Sequence, residues 1–478
     1  MSAQRPGACA AARVLRAAPR GALGVALLAA LAAPDAARAS YAFYVGRDLT
    51  EGGVVLVGGT GEEVSSHWLE IVPAKGHPPD ATIEVGVTAE ARIPGERMRI
   101  PQAARTFRHL TMDYSDFAGF PPPLTNGGLN AHQVAVRDVW SPSREELVER
   151  TPRPQRGVQY SDLARIALER ARTAREAVEI AGALVDRHGY ATYGGNSHLF
   201  ADPQEGWVML QLAGGEGLWV AERLGPDDVR VSYPGYIGEI PADYRDHPDY
   251  MGSANLIAYA VEQGWYDPDA GEPFDVHRVY GRQGVAMRSP GAKHVDAATL
   301  EAELRAMAPV GVREMMDLVR DPRIADDEAG TGQVAALRDE AHPGLRLLWI
   351  APTGSLTAPF LPWRIGVREI PPEYRQHRYL TRESGSTFLH PDYQLQEATR
   401  FAARTFKRLL YWTCADPERF LPEVTGALAD FENRLLAEQA DLEAVARRLY
   451  DAGDEALAGR VLTFYAHARA EDALALGE

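Results

Sequence analysis

The order in which strand-like and helix-like periodicity appears along this chain limits its fold more than any other feature. From Ser40 to about Trp140, short runs rich in β-branched and aromatic residues (SYAFYV, GVVLVG, HWLEIVP, ATIEVGV, RTFRHLTMDY, VAVRDVW) are separated by Gly, Pro, Asn and Asp clusters such as PPPLTNGG. That is the pattern of strands joined by turns. Tyr160 to His188 changes to helical spacing, with Ser161 and Asp162 available to cap a first segment. Thr173 and Glu176 form a capping-box pattern for a second segment, which Gly189 stops. Strand signals return at SHLFAD, GWVMLQLAG, GLWVAERLG and DVRVSYP, which read as consecutive antiparallel strands. Residues 250 to 340 are mixed, with helical pieces at Ser253–Gln263 and Ala297–Ala308. A stretch rich in Pro and Gly runs from Ala341 to Pro372, and three helical segments follow at Tyr393–Leu410, Pro422–Leu449 and Glu455–Ala468. Strands and helices in blocks predict an α+β layered domain, because a parallel sheet would need them to alternate.

Residues 1–39 read as a leader rather than as part of that fold. Arg5, Arg13, Arg16 and Arg20 precede an apolar run from Gly21 to Ala33, too short to span a bilayer. Ala37-Arg38-Ala39 supplies the small-x-small pattern of a signal-peptide cleavage site. The expectation is export, periplasmic or secreted, with cleavage after Ala39 and no membrane association afterwards. The domain then runs from Ser40 to Glu478, with a helical C-terminal portion from about residue 393. Removing residues 1–39 takes five Arg and one Asp from the 50 Lys+Arg and 66 Asp+Glu of the full chain, so the formal charge moves from −16 to −20. An excess of that sign argues against nucleic acid as a partner. Cys9 leaves with the leader, and Cys414, in LLYWTCAD, reads as a core residue rather than a nucleophile.

The familiar signatures of catalysis are absent. Val54–Gly61 runs an apolar strand into glycines, but the segment after it (VSSHWLEIVP) reads as another strand, with no helix N-terminus to hold a phosphate. A β-turn is the expected structure at those glycines. The thirteen histidines are scattered without metal-ligand spacing, and no metal or other cofactor is expected. Ser386 in ESGST lacks the strand-to-helix frame of a nucleophile elbow. Ser40 is left as the first residue after cleavage. There its own α-amine, with a reference pKa of about 7.7–8.0, can act as the base that a serine hydroxyl needs.

The segment SYAFYVGRDLTEGGVVLVGGTGEEVSSHWLEIVPA, followed by GGLNAHQVAV, YGGNSHLFADPQEGWVM, VSYPGY, LLWIAPTG, FLPWRIGV and FENRL, resembles peptidase family C69 over essentially all of residues 40–450. This family includes dipeptidase A and secernin-like proteins and lies within the N-terminal-nucleophile hydrolases. The resemblance implies a four-layer αββα sandwich of two antiparallel sheets and a dipeptidase acting on small peptides. It implies that Ser40 is the nucleophile, standing where the family usually has Cys. Asn130 and Asn196, each after glycines, are the candidate oxyanion donors. Glu62 and Arg137 are the candidate substrate-binding residues. The family often carries an Arg and an Asp near the nucleophile where this chain has Gly59-Thr60-Gly61-Glu62, with no Arg, so either Arg137 or Arg288 is expected to enter the site instead or substrate recognition differs. Two alternatives go with these departures: an amidase or acylase on other small amides, or an inactive member that binds without turnover. The sequence leaves side-chain preference and oligomeric state open.

Overall fold

The computed structural model describes residues 40–61, 67–114, 119–282, 295–325, 329–339, 342–375 and 400–478. Fourteen strands form two large antiparallel sheets. They are β1 (Ala42–Val45), β2 (Val55–Gly61), β3 (His67–Val72), β4 (His109–Tyr114), β5 (Leu124–Asn130), β6 (Ala135–Trp140), β7 (Asn196–Ala201), β8 (Gly206–Gln211), β9 (Trp219–Leu224), β10 (Val229–Ser232), β11 (Tyr250–Gly252), β12 (Thr331–Leu337), β13 (Leu347–Ala351) and β14 (Leu361–Arg364). The six-stranded sheet has the order β10-β1-β2-β12-β13-β14, and the eight-stranded sheet β11-β9-β8-β7-β6-β5-β4-β3. All their pairings are antiparallel. The expected α+β class is therefore observed, with eleven α-helices among the described residues.

The two sheets face each other, with β1 touching β6 and β13 touching β5. Helices α1 (Tyr160–Arg170) and α2 (Ala174–His188) lie against the outside of the eight-stranded sheet. Leu163, Ile166, Ala177 and Val178 of these helices pack there on Val136, Phe200, Trp207 and Met209. Gln159 caps α1, accepting from Ser161 N while Asp162 reaches back to the Gln159 N–H. Thr173 caps α2 and Gly189 ends it, as its spacing predicts. The outside of the six-stranded sheet is covered by α3 (Ala297–Met307), α4 (Val312–Arg320), and then α5 (Ala402–Ala415), α6 (Pro417–Asp451) and α7 (Glu455–Gly477). Helix α6 starts five residues before the expected Pro422, with Pro417 in its first turn where a missing N–H costs nothing. One buried carboxylate ties α6 down: Glu432 accepts from Arg320, from Arg313 at 2.8 Å and from the Phe360 N–H at 2.7 Å. Cys414 is buried with Ala325, Leu356 and Leu410. No helix among the described residues is long and apolar enough to cross a membrane.

Three sequence expectations change. Gly58–Gly61 is not a turn but the end of central strand β2. A β-carbon on Gly59 would lie 2.3 Å from the Tyr41 carbonyl oxygen, so this glycine serves close strand approach, which composition alone cannot separate from a turn. The same holds in LTNGGLN, expected as a separator and found as β5: a β-carbon on Gly128 would meet Leu110 O at 1.9 Å. DVRVSYP does not continue its hairpin series. As β10 it leaves the eight-stranded sheet and pairs with β1, from Ala42↔Ser232 to Val45↔Val229. The Pro/Gly-rich stretch 341–372 also holds two strands, β13 and β14, both buried.

These contacts give a paired test. Gly128→Ala should cost at least about 2 kcal/mol of unfolding free energy, as overpacking against rigid backbone does. Gly426→Ala, on an exposed turn of α6 with open space at its β-carbon position, should instead gain up to about 1 kcal/mol. Urea titration of both variants checks the contrast.

Candidate functional site

Strand alternation decides which side chains enter the space between the sheets. Ser232, Ala42, Gly59 and Gln333 are directly opposite one another across β10, β1, β2 and β12, so they share one face. That face looks at the other sheet, because Arg137 of β6 brings its Nε to 3.0 Å from where a Gly59 β-carbon would stand. The opposite face looks at α4, since a β-carbon on Gly58 would meet Met315 and Val319. Ser40, two residues before Ala42, falls on the same inner face and is 7% exposed. Its neighbour Tyr41 is held by reciprocal bonds: Tyr41 N donates to Thr60 Oγ1 at 3.1 Å, and Thr60 N to Tyr41 O at 3.0 Å. Outside, the Tyr41 ring stacks on Tyr233 at 4.1 Å between centroids.

Two small residues, Ala42 and Gly59, thus form a floor, flanked by polar side chains and overhung by a guanidinium. Arg137 is 2% exposed, and its Nη2 donates to the Thr60 carbonyl. It links the eight-stranded sheet to the strand that holds Ser40 in register. Gln333 is 1% exposed, and neither its Nε2 nor its Oε1 has a hydrogen-bond partner; Ser232 Oγ is in the same position. A buried amide without partners costs about 1–3 kcal/mol. It offers one donor group and one acceptor to anything that enters. Nearby, Ser141 Oγ lies 2.9 Å from Ser197 Oγ and accepts from Gly235 N at 2.9 Å.

The sequence-predicted residues divide accordingly. Ser40 and Arg137 are brought to one inner face. Asn130 and Asn196 are not: each adjoins an inner residue, Leu129 or Ser197, and so points to the outer face under the helices. Asn130 Nδ2 donates to Leu168 O and Ala171 O at 3.1 and 2.7 Å, while its Oδ1 accepts from His132 N and Val134 N. Its amide is committed to closing α1 onto the β5–β6 hairpin, with no donor left for an oxyanion. Asn196 holds Tyr193 Oη at 2.9 Å and accepts from Tyr190 Oη at 3.1 Å. Glu62 and Arg288 lie outside the described residues. Gln333 and Ser232 escaped sequence reading, since a lone Gln in a strand carries no motif. The one legible signal was their polarity at buried strand positions.

Two other buried titratable groups face α1 rather than the inter-sheet space. Burial raises the Asp113 carboxyl to about 7, against a bond from Thr111 Oγ1 at 3.0 Å that favours the ion. Burial lowers the His198 imidazole to about 4; its ring nitrogens lie 3.0 Å from Gln211 Oε1 and 3.0 Å from Tyr160 O. Among the described residues no group of three or more His, Cys, Asp or Glu side chains can hold a metal ion.

Residues 98–289 match Peptidase family C69, which bears out the resemblance over that part of residues 40–450. Similar proteins include a probable dipeptidase of Salmonella dublin, 31% identical over 127 residues (26% of this chain, 28% of the relative). A probable dipeptidase A of Streptococcus pyogenes serotype M3 is 33% identical over 130 residues, 27% of each chain. A probable dipeptidase B of Lactococcus lactis is 33% identical over 143 residues, 30% of this chain and 29% of the relative. The matched stretch spans little more than a quarter of the length of each of these relatives.

The site's geometry makes two predictions. Gln333→Leu, which removes an unpartnered buried amide, should raise stability by about 1 kcal/mol or more; a loss of that size in chemical denaturation would show that the amide is partnered. The second prediction concerns pH. His198 takes its proton in the unfolded chain near 6.5 but in the folded one near 4, so its contribution is present above 6.5 and lost as pH falls toward 4. Asp113 has the opposite sign: its carboxyl stays protonated in the folded chain up to about 7, so stability falls as pH rises from 3.8 to 7. Relative to the unaltered chain, Asp113→Asn should therefore make stability rise more steeply between pH 4 and 6.5, and His198→Gln less steeply. Unfolding free energies measured across that range would reveal the two slopes.

Proposed function

From the match to Peptidase family C69 we propose that this chain is an exported dipeptidase-type amide hydrolase, released by cleavage after Ala39 and using Ser40 as nucleophile. The observation that carries the reading is the convergence of Ser40, Arg137 and Gln333 on one inner face between two antiparallel sheets. The helix-covered outer faces of both sheets support assigning the four-layer αββα arrangement of N-terminal-nucleophile hydrolases.

In this mechanism the α-amine of Ser40 takes the proton of its own Oγ, directly or through one water, as Oγ attacks the scissile carbonyl carbon. The Arg137 guanidinium, fixed by the Thr60 carbonyl, pairs with the carboxylate of a short peptide, since a forked cation matches a carboxylate. Gln333 Nε2 replaces Asn130 and Asn196 as the side-chain donor to the oxyanion. Loss of one such donor costs on the order of 3 kcal/mol of transition-state stabilisation. The amine then returns the proton to the leaving amino group, and water cleaves the acyl-serine ester with the amine again as base. No metal or other cofactor enters.

The mature protein carrying Ser40→Ala is expected to fold and to lose dipeptide turnover. A chain with one extra residue before Ser40 should be equally inactive, because its amine has become an amide. Turnover of free dipeptides, N-blocked dipeptides and N-acyl amino acids measures both variants and separates a dipeptidase from an acylase. Full activity in the extended chain would remove the amine from the mechanism, and silence of the unaltered chain on the whole panel would favour a binding protein.

A further inference from the structure

At the opposite end of β12 from Thr331, about seven residues or ~23 Å along the strand, a cavity of about 140 Å³ opens between the outer face of the six-stranded sheet and helix α6. Its charged lining is Arg338, Arg346, Arg364 and Glu443, and Trp349 and Leu436 form apolar wall. The charges do not balance. Glu443 is the one carboxylate in the lining; it lies 3.6 Å from Arg364 and is shared with Arg447 of its own helix at 2.6 Å. Arg364 is 3% exposed, donates to Leu345 O and to Gln439 Oε1 (3.0 Å), and keeps a buried Nε without a partner. The Nε and Nη1 of Arg346 are likewise buried without a partner. Arg338 is exposed at the rim, its backbone fastened to the Gln133 side chain by bonds in both directions.

A guanidinium cannot shed its charge, so burial without a counter-ion is costly. Burial indeed holds both Arg346 and Arg364 below the ordinary arginine range. In a chain with a formal charge of −16, three arginines around a small cavity are a local reversal of sign. We propose that this cavity is a binding site for a small tetrahedral oxyanion, a phosphate or phosphate monoester, held by Arg346 and Arg364 with Arg338 at its mouth. A multiply charged ion fits the excess of positive lining charge better than a single carboxylate does. A space of this size admits a phosphate group. The site is separate from Ser40, and its occupancy does not depend on the peptidase reading.

The test is calorimetric titration of the whole mature protein with inorganic phosphate at constant ionic strength in chloride, alongside melting curves. The expected result is saturable binding, weakened about tenfold or more in Arg346→Met, the equivalent of one charge-assisted bond. Without phosphate, Arg346→Met should melt no lower than the parent, because it removes a half-buried guanidinium whose Nε and Nη1 have no partner. Heat and melting shifts no larger than those of chloride, or equal phosphate binding by Arg346→Met, would overturn the site. A markedly lower melting point of Arg346→Met in chloride would do the same, since it would mean that the guanidinium is already paired. Glycerol phosphate identifies the source: tighter binding than phosphate assigns an ester and weaker binding the free ion, and either supports the site.

Discussion

Strand β1 is held between β10 and β2, and its register depends on a glycine. Gly59 has no room for a β-carbon beside the Tyr41 carbonyl, and the Tyr41–Thr60 bonds close the pair at the end where the chain enters the sheet. A one-residue slip would exchange every inner and outer side chain of β1. Ser40 and Ala42 would turn to the helices, and Tyr41 would lose its ring stack with Tyr233. The same absent side chain makes space for Arg137 to cross from the other sheet and bond the Thr60 carbonyl. One residue without a side chain thus sets a strand register, joins two sheets and admits a cation beside the candidate nucleophile.

The polar residues of the interior follow a division of labour. On the helix-covered face of the eight-stranded sheet, Asn130 and Asn196 have hydrogen-bond partners on both amide atoms, which is the condition for a stable buried polar group. Between the sheets, Gln333 and Ser232 do not. Unfilled bonding capacity is destabilising, and at Gln333 and Ser232 it lies on the Ser40 face. The cavity under α6 follows the same logic with charge in place of neutral amides.

Much of the architecture was legible beforehand. The strand runs at Ser40, His67, Ala135, Asn196, Gly206 and Trp219 and the caps at Thr173 and Gly189 lie where periodicity and capping place them. The failures share a cause. Gly58–Gly61 and Thr125–Gly128 have turn composition, and only the backbone of a neighbouring strand shows why glycine is needed there. The change of sheet at β10 was hidden because partner choice is a long-range contact, invisible to local pattern. For the candidate site, Ser40 could be named from its place after Ala39, and Arg137 only as one of two guesses. The two asparagines were chosen for the glycines shortly before them (GGLN and GGN), which do not reveal which face a strand will present.

The sequence by itself determined the order of elements and the α+β class, because these depend on local periodicity and composition. The tertiary structure alone decided which residues meet. It set Arg137 over Gly59, aligned Gln333 with Ser232 on the Ser40 face, and gathered Arg338, Arg346 and Arg364 from separate segments around one cavity. The physical reason is the two-residue period of a strand: one step of register exchanges the buried faces, and register is set by contacts between strands far apart in the chain.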